Sequence, residues 1–122
     1  MKKIFFICLI YFLSLKLSVA GCNWISSNRD WILESNPVVT SVGETDGATC
    51  SHRHTTGRSA YTDSYIVKAP KNGKLVQINV SSFDYTPNIN FKGHDSYSIK
   101  LCGTTNTNQK GCATINYEFD IK

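Results

Sequence analysis

The C-terminal segment alternates apolar and polar residues without interruption. Five apolar side chains occupy every second position: Ala113, Ile115, Tyr117, Phe119 and Ile121. A β-strand directs successive side chains to opposite faces, so this pattern predicts a strand. One of its faces must be buried and the other solvated, as in an antiparallel sheet.

Further strand signals recur along the chain. A β-branched run covers residues 38–42, and alternating segments cover 59–69, 75–80 and 83–101, the last with a bend after Pro87. Residues 48–58 are polar and predict mostly loop, with a strand through Cys50. No helical period of useful length is found. About seven short strands, spaced roughly 8–12 residues apart, predict an all-β sandwich.

The strongest turn signal is the segment Ala69-Pro70-Lys71-Asn72-Gly73. Asn-Gly accepts positive φ at both central positions of a turn. The pair therefore predicts a two-residue hairpin between the strands at 59–69 and 75–80.

The first twenty residues predict a cleaved secretory signal peptide. Lys2 and Lys3 precede an apolar run at 4–15, and Ser18-Val19-Ala20 is a small-residue cleavage site. Only about 12 residues separate Lys3 from Lys16, whereas a spanning helix needs about 20. Residues 1–20 are thus assigned to the signal, and the protein is expected to be secreted or periplasmic.

The position of cleavage leaves two alternatives. Cleavage after Ala20 gives a soluble protein that starts at Gly21. Val19-Ala20-Gly21-Cys22 also resembles the bacterial lipoprotein box, in which Cys22 is lipidated and several acyl chains anchor the protein to a membrane. We favour the soluble form, because lipidation of Cys22 leaves Cys50 without a partner.

Four cysteines remain after removal of the signal with Cys8: Cys22, Cys50, Cys102 and Cys112. An even number in an exported chain of this size predicts a disulfide framework, with three possible connectivities. Cys102 and Cys112 flank a polar loop between two alternating segments, so a hairpin would bring them together. Cys22–Cys50 then follows by elimination.

Metal binding is the rival interpretation of Cys50-x-His52-x-His54. On a strand these side chains share one face, and thiolate and imidazole are both zinc or copper ligands. The spacing matches no structural zinc pattern, however, and export favours the disulfide. His52, His54 and His94 remain the weak metal candidates, and no metal or cofactor is predicted.

The charge balance gives no sign of a nucleic-acid partner. Three of the thirteen basic residues (Lys2, Lys3 and Lys16) leave with the signal, so ten basic and nine acidic residues give the mature chain a net charge of +1. A nucleic-acid or anionic-membrane surface would need a basic patch. Contact with a membrane is expected only if Cys22 is lipidated.

One spaced pattern indicates a family. It runs Pro70-x-x-Gly73, then Phe83-x-Tyr85-Thr86-Pro87, then Phe91-x-Gly93-x-Asp95-Ser96-Tyr97. It resembles the bacterial immunoglobulin-like or cadherin-like domains of secreted and surface proteins, whose repeats carry Y-x-P-x-x-x-F-x-G-x-D-S-F-x-Y. Tyr97 replaces the usual Phe and Ile99 the last aromatic residue. The resemblance covers residues 69–122, half of the mature chain.

The resemblance implies an immunoglobulin-like antiparallel β-sandwich, which is assigned to residues 37–122. The residues before it, 21–36, are interpreted as an N-terminal arm. The resemblance also implies a structural corner at one end of the sandwich, formed by Tyr85, Pro87, Phe91, Gly93, Asp95 and Tyr97. Asp95 is expected to cap a turn. A calcium site is not expected, since the dense run of carboxylates that such sites need is missing.

Three classes of function compete. The favoured one is a non-enzymatic binding, adhesion or structural module whose partner is a protein or a glycan, with the recognition surface expected around residues 24–58. An enzyme is not expected, because no G-x-S-x-G, H-E-x-x-H or glycine-rich phosphate loop occurs. The alternative is a small periplasmic copper or zinc protein that uses His52 and His54.

Intact-mass and N-terminal analysis of the native protein tests the export prediction. The expected chain starts at Gly21 and weighs four hydrogens less than its reduced form, because each of the two disulfides removes two. An acylated Cys22 together with a free Cys50 thiol would contradict the soluble assignment.

Overall fold

A computed structural model describes residues 21–26, 33–54 and 59–122. The predicted signal peptide therefore lies outside the described residues, as does Trp31. The described elements are a short 3₁₀ helix, Leu33–Ser35, and eight strands: β1 Cys22–Ser26, β2 Val38–Thr45, β3 Cys50–Arg53, β4 Ser59–Lys68, β5 Gly73–Asn79, β6 Ser82–Pro87, β7 Gly93–Thr105 and β8 Lys110–Ile121.

The strands form two sheets in a sandwich-like arrangement, which confirms the predicted all-β fold. The larger sheet has the order β1-β2-β8-β7-β4, and the smaller one has the order β3-β6-β5. One pair departs from the antiparallel pattern. Strands β2 and β8 run parallel, from Val38 opposite Thr114 to Thr45 opposite Ile121. Their pairing joins the two ends of the described domain.

The core lies between the two sheets and follows the period-two patterns. In β8 the five alternating apolar residues are all buried, and in β7 so are Tyr97, Ile99 and Leu101. The small sheet contributes Phe83 and Tyr85 from β6, both fully buried. The Tyr85 and Tyr97 ring centroids lie 4.7 Å apart, so aromatic contacts join the sheets.

The Asn-Gly hairpin prediction is wrong. Strands β4 and β5 do not pair with each other, because β4 belongs to the large sheet and β5 to the small one. The turn between them is hydrogen-bonded to β7 instead. The backbone N–H groups of Lys71 and Asn72 donate to the Asp95 carboxylate at 3.1 and 3.2 Å. This contact holds the chain where it crosses between the sheets.

Asp95 also joins the turn to the corner that the family motif singled out. The Tyr85 hydroxyl donates to Oδ2 of Asp95 at 2.6 Å, and Asp95 is only 3% exposed. Gly93 has a φ of +134°, a conformation that side chains disfavour, and Phe91 packs beside it. Pro87 ends β6 in a buried position.

Both predicted disulfides are present, Cys22–Cys50 and Cys102–Cys112. The first connects edge strand β1 of the large sheet to edge strand β3 of the small sheet. The second joins β7 and β8 at directly paired positions. The framework therefore contains one bond between the sheets and one within a sheet.

Substitution of Gly73 by alanine is expected to destabilise the fold. A Cβ at this position would lie 2.5 Å from Cε2 of Tyr85 and 2.7 Å from the carbonyl oxygen of Thr86. Tyr85 cannot move aside without losing its bond to Asp95. Gly73→Ala should lower the free energy of unfolding by about 1–3 kcal/mol, measured by urea denaturation.

Lys74→Ala is the matched control, because this neighbouring side chain is exposed. It should change the free energy of unfolding by less than about 0.5 kcal/mol. Equal stabilities of the two variants would contradict the close packing at Gly73.

Candidate functional site

Six aromatic and imidazole rings meet at the side of the sandwich where β1 and β3 lie. We call this group the aromatic–histidine cluster; its members are Trp24, His52, His54, Tyr97, Tyr117 and Phe119. They come from β1, β7 and β8 of the large sheet and from β3 of the small sheet together with the residue that follows it. The cluster contains two of the three histidines that the sequence singles out.

Strand β3 places the histidines. Cys50 and His52 are buried, at 0% and 3% exposure, whereas Ser51 and Arg53 are exposed. His54 follows on the inner side and is half-buried. The expectation that Cys50, His52 and His54 share one face therefore agrees with the structure, although Cys50 is in a disulfide and has no free thiolate to offer.

His52 is enclosed by rings. Its imidazole stacks on Tyr117, with centroids 4.5 Å apart and planes 6° from parallel. Its Nε2 atom is hydrogen-bonded to the Tyr97 hydroxyl, while Nδ1 is buried and has no hydrogen-bond partner among the described residues. An unsatisfied buried polar atom is costly, which makes Nδ1 a notable feature of the cluster.

His54 repeats this pairing with the second tyrosine. Its Nε2 atom lies 3.0 Å from the Tyr117 hydroxyl, and its backbone N–H donates to the Ser81 carbonyl at 2.8 Å. The Nε2 atoms of both histidines are thus occupied by tyrosine hydroxyls. A metal ion could use them only by displacing those hydrogen bonds.

Trp24 covers the cluster from β1. Its ring meets His52, Phe119 and Tyr117 edge-on, at centroid distances of 4.8, 5.3 and 5.8 Å. Even so, 42% of Trp24 remains exposed. Trp24 thus both packs on the body of the sandwich and presents an exposed aromatic surface.

Burial keeps the cluster uncharged at neutral pH. It lowers the pKa of His52 to about 3, with a further contribution from nearby His54, and lowers the pKa of His54 to about 4. Burial also raises the pKa of the Tyr97 and Tyr117 hydroxyls. The cluster is therefore a neutral, hydrogen-bonded aromatic surface.

His94 is not part of the cluster. It lies on the outer face of the large sheet, with Nε2 2.5 Å from Glu118 and Nδ1 3.3 Å from Asp120. Hydrogen bonds to Asp120 and Glu118 raise the pKa of His94. The three candidate histidines thus form two separate groups. Within residues 21–26, 33–54 and 59–122, no three His, Cys, Asp or Glu residues are placed to hold a metal ion.

The sequence identified the histidines but not their partners. Tyr97 appeared there as part of the structural corner, and Tyr117 as a buried position of an alternating strand. A buried tyrosine hydroxyl needs a hydrogen-bond partner, and two histidines on the inner face of a short strand are the matching donors or acceptors. That chemical need is the signal by which the cluster could have been found.

No protein-family model matches the chain, and no curated protein matches it significantly. Within the described part, no helix is both long and apolar enough to cross a membrane. The two disulfides are typical of a non-reducing, extracellular type of environment.

The buried histidines should make the protein less stable in acid. Their folded-state pKa values lie below the unfolded value of 6.5, so the unfolded chain binds more protons at mildly acidic pH. Stability should therefore be full above about pH 6.5 and fall towards about pH 4, with a slope of up to ~1.4 kcal/mol per pH unit for each histidine. Urea denaturation across this range measures that slope.

Variants separate the histidines from other titrating groups. His54→Gln should reduce the slope relative to wild type, because one proton uptake on unfolding is lost. His94→Gln is the control: the pKa of His94 is raised, so its contribution is present at low pH and is lost as the pH rises above about 6.5. An unchanged slope in His54→Gln would contradict the buried neutral state.

Proposed function

We propose that this protein is an exported, non-enzymatic module with an immunoglobulin-like or cadherin-like fold. It acts by binding, adhesion or structural support at the cell surface or outside the cell. The all-β sandwich and the motif around Asp95 support the fold assignment. The partner is a protein or a glycan that presents a surface for ring stacking.

The observation that carries this proposal is the half-exposed Trp24 ring. Three rings hold it edge-on, so its orientation is fixed before any partner arrives. A fixed aromatic side chain loses little conformational entropy on binding, and tryptophan is enriched among residues that dominate binding energies. The neutral cluster beneath it suits an uncharged face of a sugar or of an apolar side chain.

The disulfides support the secreted or periplasmic location over the lipoprotein alternative. Cys22 is bonded to Cys50. A thiol in a disulfide is not available for acylation, so the two modifications exclude one another. The signal-peptide pattern before Gly21 supports the same location.

A periplasmic copper or zinc protein is the second candidate. The observation in its favour is the buried Nδ1 atom of His52, which has no hydrogen-bond partner in the part of the chain that the structure describes. A metal coordinated by this atom would satisfy its lone pair without a hydrogen bond. The tyrosine hydroxyls that already occupy both Nε2 atoms weigh against it.

Removal of the Trp24 ring tests the binding function. Trp24→Ala should weaken binding of the purified, oxidised protein to immobilised oligosaccharides or to intact cells by about tenfold or more, as expected for an aromatic anchor residue. Trp24→Phe should retain part of the binding. Surface plasmon resonance measures binding to the immobilised oligosaccharides, and flow cytometry measures binding to intact cells.

Ile89→Ala is the matched control, because Ile89 is an apolar side chain that is 93% exposed and takes no part in the aromatic–histidine cluster. It should bind as wild type does. Equal binding by wild type and Trp24→Ala would contradict the proposal. Tight Zn(II) or Cu(II) binding in calorimetry, abolished in His52→Ala/His54→Ala, would instead favour the second candidate.

A further inference from the structure

Strand β4 offers a long free edge. It lies at the margin of the five-stranded sheet and, within the described part of the chain, pairs only with β7. Its opposite backbone edge has no strand partner there, although the Gln77 side chain donates to the Ser64 carbonyl at 3.3 Å. Tyr65 is 47% and Val67 54% exposed. Such an edge is a template for another strand.

The two irregularities in β4 set an unusual spacing of side chains. In the ladder with β7, Asp63 lies opposite Cys102, Tyr65 opposite Lys100 and Lys68 opposite Ser98. Val67 lies in the irregularity between Ile66 and Lys68 and has no partner in the ladder. Counted by their partners on β7, Asp63 and Lys68 each lie two ladder positions from Tyr65, one on either side. Both therefore lie on the same outer face as Tyr65.

This arrangement is self-complementary under a two-fold axis. If a second β4 runs antiparallel with Tyr65 facing Tyr65, each Asp63 faces Lys68 of the second copy, and Ser64 faces Ile66. Opposite charges and aromatic pairs at directly opposed positions stabilise antiparallel strands. The ion pair forms twice, because a two-fold interface repeats every contact.

We propose that the protein forms a two-fold symmetric dimer through β4, in which the two large sheets join into one continuous sheet of ten strands. The occupant of the free edge is a second copy of this chain, and Asp63 and Lys68 set the register. The dimer does not depend on what the Trp24 surface binds, since β1 and β4 are the opposite edges of the large sheet.

The charges of β4 are free to make this contact. Among the described residues Asp63 has no ion-pair partner, and Lys68 donates only to the uncharged Ser96 hydroxyl, at 2.9 Å. The β5 edge of the small sheet lacks such complementarity. The only charged residue of β5 is Lys74, so two antiparallel copies of β5 have no opposite charge to match.

Charge reversal at Asp63 and Lys68 tests the proposal. The sample is the purified protein with both disulfides formed. Analytical ultracentrifugation should show a monomer–dimer equilibrium for wild type. Asp63→Lys and Lys68→Asp should each weaken dimerisation by at least about tenfold, because each places like charges opposite one another twice. The double variant Asp63→Lys/Lys68→Asp should restore it.

A second variant reports the register directly. Tyr65→Cys should form an intermolecular disulfide under mild oxidation, because position 65 faces itself across the axis. Val38→Cys is the control, since Val38 is 69% exposed but lies on β2. Far-UV circular dichroism verifies that each variant is folded.

Several results would overturn the proposal. They are a wild type that stays monomeric up to millimolar concentration, single charge reversals that leave the equilibrium unchanged, and a double variant that fails to recover. A Tyr65→Cys variant that cross-links no faster than Val38→Cys would also refute the register.

Discussion

The buried Asp95 carboxylate is the interaction on which the rest of the sandwich depends. Its two oxygens accept hydrogen bonds from the backbone of Lys71, Asn72 and Ser96 and from the Tyr85 hydroxyl. Those donors come from the β4–β5 turn, from β7 itself and from β6. One side chain thus holds the crossing chain and a strand of each sheet. Four donors offset the desolvation of a carboxylate that would otherwise be costly to bury.

This interaction explains both a success and a failure of prediction. The period-two patterns of β7 and β8 depend only on neighbouring residues, so the sequence predicts which faces are buried. The turn at Asn72-Gly73 has the composition of a hairpin. Its geometry is decided instead by Asp95, more than twenty residues further along the chain. Local turn preferences cannot reveal a partner that only the folded chain brings near.

Local sequence also could not predict the parallel pairing of β2 with β8 or the partners of the histidines in the candidate site. That β2 lies beside β8 depends on how the whole chain closes, because these strands are far apart in sequence. The histidines of β3 were visible as candidate ligands from residue type and spacing. Their actual partners, Tyr97 and Tyr117, lie on other strands and were expected in the structural corner and in the core, not beside histidines. Cysteine pairing was predictable because few cysteines leave few choices.

Strand β1 shows what the disulfide between the sheets does for the dynamics of the molecule. The strand has five residues, an irregular ladder and a single described neighbour, β2. Such a strand would open locally at little cost if only its hydrogen bonds held it. The bond from Cys22 to Cys50 ties that opening to β3, so the two edges can open only together. Reduction of this bond would remove that tie, and β1, with the Trp24 ring that covers His52, could then open independently of β3.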